Sequence, residues 1–123
     1  MKLINTPSAP AAIGPYSQGF VSGGFLFTSG QIPLDPVSGE VSGKTVGEQA
    51  ERAISNLKAV LEAGGSNLSK VIKTTCFLAD MGDFSAFNEV YAKHFTGKPA
   101  RSCVAVKQLP KSVLCEIEAV AEA

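Results

Sequence analysis

The sequence predicts an α+β domain: a mixed sheet covered on one face by two amphipathic helices. Three observations carry the prediction. Strand-like runs broken by glycine and proline fill the first third and the end of the chain, and two internal segments repeat apolar residues at helical spacing. The 123 residues also contain no linker, internal repeat or low-complexity tract, so residues 1–123 read as one domain. At 45% hydrophobic residues the chain can build a core without disulfide or metal staples.

The elements follow in order. Phe20-Val21-Ser22 and Phe25-Leu26-Phe27-Thr28 flank Gly23-Gly24, a two-residue hairpin signal because both glycines accept φ > 0. Gln31-Ile32-Pro33-Leu34-Asp35-Pro36 cannot be a central strand, since each proline removes a ladder donor. Asp35 to Gly43 reads as an exposed turn region. A helix starts at Thr45, where Thr45 and Glu48 match a capping box. Ala50, Ala53, Ile54, Leu57, Val60 and Leu61 then form one apolar stripe, which Gly64-Gly65 ends. Val71 to Leu78 is a β-branched strand pattern. A second helix, about Asp83 to Phe95, carries Phe84, Phe87, Tyr91 and Phe95 on one side. Pro99 ends that segment, Arg101 to Gln108 alternates as a strand, Leu109-Pro110-Lys111 turns, and Val113 to Ala121 forms the last strand. Helices on one face leave the other sheet face open. Where such a face is apolar, a second copy of the chain is its simplest cover.

Composition removes several function classes. Lys+Arg and Asp+Glu balance at 11 each, so the chain lacks the basic excess with which proteins grip phosphate backbones. Three scattered cysteines (Cys76, Cys103, Cys115) and a single His94 do not make the roughly four N/S ligands of a zinc site, so no metal is expected. They read as reduced thiols in a reducing compartment. The N-terminus turns polar and proline-rich too soon for a secretory signal, and no apolar run approaches the roughly 20 residues that span a bilayer. A cytoplasmic location and no membrane partner are therefore expected. Phosphate-binding, dinucleotide-binding, nucleophile-elbow and zincin motifs are all missing.

Four places in the chain could carry chemistry. Strand periodicity puts Arg101 and Cys103 on one face and Val104 and Val106 on the other. A guanidinium fork matches a carboxylate bidentately and suits small 2-oxo or 2-imino acids, although most arginines are surface residues and a solvated arginine at a strand entrance is the more ordinary reading. Glu116 and Glu118 share a face of the last strand, either as its ordinary acidic outside or as carboxylates positioning water in a cleft. Asn88 lies on the aromatic stripe of the second helix, where its amide needs partners from backbone or ligand. Tyr16 is held in the stiff loop Gly14-Pro15-Tyr16-Ser17-Gln18-Gly19 as an aromatic with a polar handle.

Read together, Ala11-Ala12-Ile13-Gly14-Pro15-Tyr16-Ser17-Gln18-Gly19, Thr28-Ser29-Gly30-Gln31-Ile32-Pro33, Lys73-Thr74-Thr75-Cys76-Phe77-Leu78, Pro99-Ala100-Arg101-Ser102-Cys103-Val104 and Glu116-Ile117-Glu118-Ala119 resemble the RidA (YjgF/UK114-type) family along essentially the whole chain. The resemblance implies a chorismate-mutase-like subunit, a homotrimer with a central β-barrel, and active clefts between subunits. It implies hydrolytic deamination of 2-iminopropanoate and 2-iminobutanoate, released by pyridoxal-phosphate-dependent dehydratases, to 2-oxo acids and ammonia, without a cofactor. By the same resemblance Arg101 binds the substrate carboxylate and Glu116 orients water. Tyr16, Ser29, Gly30, Asn88 and Cys103 line the pocket, Cys103 mainly through its backbone. Two alternatives stand beside this reading: a non-catalytic metabolite-sensing trimer, and a translation-inhibiting ribonuclease or chaperone.

Overall fold

The computed structural model describes residues Met1–Ala123. The element order is β1 (Lys2–Ile4), β2 (Gly19–Ser22), β3 (Phe25–Thr28), α1 (Val46–Ala63), β4 (Val71–Leu78), α2 (Phe84–His94), β5 (Ala100–Ala105) and β6 (Cys115–Glu122), with one-turn 3-10 segments before β4, α2 and β6. The six strands form one sheet in the order β1-β2-β3-β6-β4-β5. Only β4 and β5 run parallel, joined by α2 as a parallel pair requires; every other pair is antiparallel. The expected α+β class therefore holds, with one mixed sheet and two helices.

Local chemistry accounts for the element ends. Gly23 and Gly24 adopt φ of 61° and 84°, so the Ser22↔Phe25 pair closes a two-residue hairpin that an L side chain would strain. At the start of α1 the Thr45 hydroxyl accepts from the Glu48 N–H. The Glu48 carboxylate in turn accepts from the Thr45 N–H at 3.1 Å and the Lys44 N–H at 2.9 Å. Gly65, at φ 86°, turns the chain out of the helix.

The apolar stripe of α1 lies on the sheet. Leu57, Leu61, Leu26, Cys115 and Ile117 are wholly buried there, and Phe87 and Tyr91 of α2 complete the core. Each leucine-sized side chain contributes about 2 kcal/mol on burial. Buried amides tie the loops to this core. Asn56 on α1 donates to the Ile32 and Leu34 carbonyls at 3.0 and 2.9 Å, and Gln18 brackets the N-terminal loop through Thr6 and Pro10.

Three sequence expectations need correction. β1 was not foreseen; it pairs Lys2–Ile4 with Gly19–Val21 and buries only Ile4. β5 stops at Ala105 instead of Gln108, because its partner β4 ends at Leu78, whose carbonyl takes the final bond from Val106 N–H. β6 starts at Cys115, since Val113 still belongs to the exit of the Pro110–Ser112 turn. No helix is long and apolar enough to cross a membrane. The face opposite the helices is bare and carries apolar side chains among its polar ones: Phe25, Phe27 and Val104 are 42%, 47% and 46% exposed there.

Candidate functional site

Strand register decides which candidate residues can meet. Along β6, Cys115, Ile117, Ala119 and Ala121 are buried, while Glu116, Glu118 and Val120 point the other way. Thr74 of β4 pairs with Ala119 on one side and Arg101 on the other, and Cys76 pairs with Ile117 and Cys103. Arg101 and Cys103 therefore face the helices, whereas Glu116 and Glu118 face the bare side. Within one chain the two lead candidates lie on opposite faces of the sheet.

The helix-side half is built on Arg101, the second residue of β5. Its Nη1 donates to Asn88 Oδ1 at 2.7 Å, and its Cζ lies 4.7 Å from the Tyr91 ring centroid and 5.5 Å from that of Phe84. Aromatic faces stabilise the cation without neutralising it. No carboxylate pairs with it: the one acid–base side-chain contact in the chain joins His94 Nε2 to Glu51 at 3.0 Å. With one of five N–H donors taken by Asn88, the rest of the fork is free for an anion. Asn88, Tyr91, Phe95, Lys98, Pro99 and Arg101 line a cleft of about 510 Å³ here. The Asn88 amide is half-buried, and its partner is Arg101, not backbone.

The bare-side half is built on Glu116. Gln31 exchanges backbone bonds of 2.8 and 3.0 Å with Ile117, which lays Ser29-Gly30-Gln31 along the start of β6. Gly30 sits so close that a Cβ there would stand 1.9 Å from Glu116 Oε2; the position tolerates no side chain while the carboxylate keeps its place. Ser29 donates its hydroxyl to the Ser17 carbonyl at 2.5 Å, which ties this segment to the Tyr16 loop. Tyr16, Ser29, Gly30, Gln31, Glu116 and Glu118 line a second cleft of about 730 Å³. Burial pushes the Glu116 carboxyl above its ordinary value of 4.5, and the neighbouring Glu118 charge pushes the same way. A carboxylate so raised is a better proton acceptor than an ordinary one.

The structure thus groups Tyr16, Ser29, Gly30 and Glu116 in one cleft, and Arg101 with Asn88 in another. Cys103 shares the Arg101 face of β5 but lines neither cleft. Burial raises its thiol pKa, against a smaller pull from Arg101, so it is a thiol at neutral pH and a poor nucleophile. Sequence reasoning placed Tyr91 and Phe84 on the aromatic side of the second helix and missed them as the platform under Arg101. Their spacing with Asn88 (positions 84, 88, 91) was visible, but the arrival of β5 beside that stripe is a long-range fact. No three His, Cys, Asp or Glu side chains converge as metal ligands.

The arrangement matches known proteins over its full extent. Residues 6–123 match the family model described as endoribonuclease L-PSP. The chain belongs to this family, also called RidA/YjgF. A relative in Lactococcus lactis, 52% identical over 99% of this chain and 98% of its own, carries the name of a regulator, AldR. The 2-iminobutanoate/2-iminopropanoate deaminase of Salmonella typhimurium is 48% identical over 98% and 96%. The crystal structure of E. coli TdcF with bound serine superposes with a TM-score of 0.95 at 46% identity, covering 100% of this chain and 99% of that one. RidA/YjgF membership accounts for the mixed sheet and the helix layer. The names within the family range from deaminase to regulator to endoribonuclease.

Proposed function

We propose that the protein hydrolyses reactive 2-imino acids such as 2-iminopropanoate and 2-iminobutanoate, and their enamine tautomers, to 2-oxo acids and ammonia. The observation that carries the reading is the Arg101 guanidinium, fixed by Asn88 and two aromatic rings yet paired with no carboxylate. Such a group has the geometry of a carboxylate receptor.

The two half-sites argue for composite clefts. Because Arg101 and Glu116 occupy opposite sheet faces, a substrate held by one chain's Arg101 meets the Glu116 of a neighbouring copy. The bare face carrying Phe25, Phe27 and Val104 supplies the apolar surface such copies would bury. A homotrimer whose three sheets close a central barrel satisfies both features, and cyclic closure repeats the same head-to-tail contact three times.

The chemistry needs little from the protein. Arg101 holds the carboxylate and so orients the adjacent C=N carbon. Water attacks that carbon while the Glu116 carboxylate takes its proton. The C–N bond then breaks as the nitrogen receives protons and leaves as ammonia, and the carbonyl forms. Tyr16, Ser29 and Gly30 shape the wall on the Glu116 side, and Cys103 contributes backbone beside Arg101.

The test feeds the protein with a threonine dehydratase and follows imine loss. Wild type accelerates the loss, and Arg101→Ala returns it to the spontaneous rate. Two inactive variants, Arg101→Ala and Glu116→Gln, regain activity when unfolded and refolded together, since about a quarter of the interfaces in random mixed trimers pair an intact Arg101 with an intact Glu116. A silent wild type that still binds 2-oxo acids would favour a metabolite sensor instead, and mixtures that stay inactive would place each site within one chain.

A further inference from the structure

We propose that Tyr91, pinned by Thr74, is a positioning residue that sets the plane of the Arg101 guanidinium; the inference rests on Arg101 being the carboxylate anchor. Three contacts close a ring of dependencies. Thr74 lies beside Arg101 in the parallel β4–β5 register and is wholly buried. Its hydroxyl meets the Tyr91 hydroxyl at 2.7 Å, across from strand to helix. The Tyr91 ring then returns to the same arginine, 4.7 Å from Cζ.

The ring is held at two points. Phe95 stacks on it with centroids 4.4 Å apart and planes 24° apart, and Thr74 fixes its tip. Without the hydroxyl contact the ring could pivot against Phe95, and the guanidinium resting on it would follow. Asn88 already fixes rotation within the guanidinium plane through Nη1. Ring and amide together leave the remaining N–H donors one direction, so the anchor is ordered before a carboxylate arrives. Burial pushes the Tyr91 hydroxyl above its ordinary value, so it stays protonated as the contact requires.

A plain structural role is the competing account: two buried hydroxyls satisfy each other and nothing more. The accounts separate in a double variant. Thr74→Val leaves the Tyr91 hydroxyl without its partner, and Tyr91→Phe leaves the buried Thr74 hydroxyl only the long 3.9 Å contact from Cys76 Sγ, so each lowers Tm. Together they remove both groups, and most of that loss should return. The positioning role does not return with it.

The experiment measures Tm and the calorimetric Kd of 2-oxobutanoate for wild type, both single variants, the double variant and Arg101→Ala, each in its native assembly. The expected result is a double variant that recovers Tm yet binds about threefold to tenfold more weakly than wild type, the scale of ordering one side chain on binding. Its KM for the imine should rise similarly with kcat little changed. A double variant that binds as tightly as wild type would overturn the inference while leaving Arg101 as anchor. Equal binding by wild type and Arg101→Ala would remove the anchor itself, and this inference with it.

Discussion

Replacing Gly30 with alanine tests the Glu116 half of the site with the smallest possible change. The new methyl would stand 1.9 Å from Glu116 Oε2 and 2.8 Å from its carboxyl carbon, where real Cβ contacts do not fall below 3.0 Å. Relief therefore requires a movement of about 1.1 Å, and the atoms struck belong to the far end of a flexible side chain. Gly30 is not among the glycines at positive φ, so alanine meets no backbone strain. The fold should absorb the change while the carboxylate cannot keep its place. A catalytic group displaced by about 1 Å loses on the order of a hundredfold in rate. In the dehydratase-coupled assay Gly30→Ala should thus lose about two orders of magnitude in kcat, with Tm near wild type and 2-oxobutanoate affinity at Arg101 retained. A Gly30→Ala protein with full kcat, in which a crystal structure shows Glu116 moved, would refute the assignment of water handling to that carboxylate.

Other outcomes are equally specific. Glu116 is raised in the fold by burial, so its ionised form is disfavoured there at neutral pH and the penalty vanishes where folded and unfolded forms are both protonated. Glu116→Gln should therefore raise Tm at neutral pH, with the gain fading as pH falls through the raised value toward 4.5; a constant gain down to about pH 4 would contradict the burial argument. The acid limb of the wild-type pH–rate profile should likewise lie above the ordinary glutamate value. Thr45→Ala removes the side-chain half of the capping box and should cost about 1 kcal/mol in urea unfolding without touching catalysis. Cys103→Ala should retain most of the activity, because the half-buried thiol is not ionised at neutral pH; abolition with an intact fold would make it a participant.

What was legible in the sequence follows from range. The hairpin at Gly23–Gly24 and the box at Thr45 and Glu48 are decided within four residues, and both stand as read. The edge strand β1 was illegible because three residues carry too little alternation and its pairing with Gly19–Val21 spans the N-terminal loop. Val106 to Gln108 kept the strand pattern, but a strand needs a neighbour, and β4 had ended. The site shows the same divide. Period two put Arg101 with Cys103 and Glu116 with Glu118, each pair on one face. Whether the two faces coincide depends on Thr74 meeting both Ala119 and Arg101, and no local pattern encodes that register.

That register links three features that a lone chain leaves apart. They are an unpaired guanidinium, a half-buried carboxylate with a like charge beside it, and a bare face with three half-exposed apolar side chains. The proposed assembly gives all three a role. Burying the bare face against neighbouring copies removes the apolar surface from water, and brings a foreign Glu116 toward each Arg101. On the proposed function the substrate then completes the site: its carboxylate meets the guanidinium, and its electrophilic carbon lies where Glu116 can deliver water. Since Arg101 and Glu116 lie on opposite faces of their own sheet, the proposed reaction needs two copies of the chain, and on that proposal dilution below the assembly threshold should extinguish activity before it unfolds the subunit.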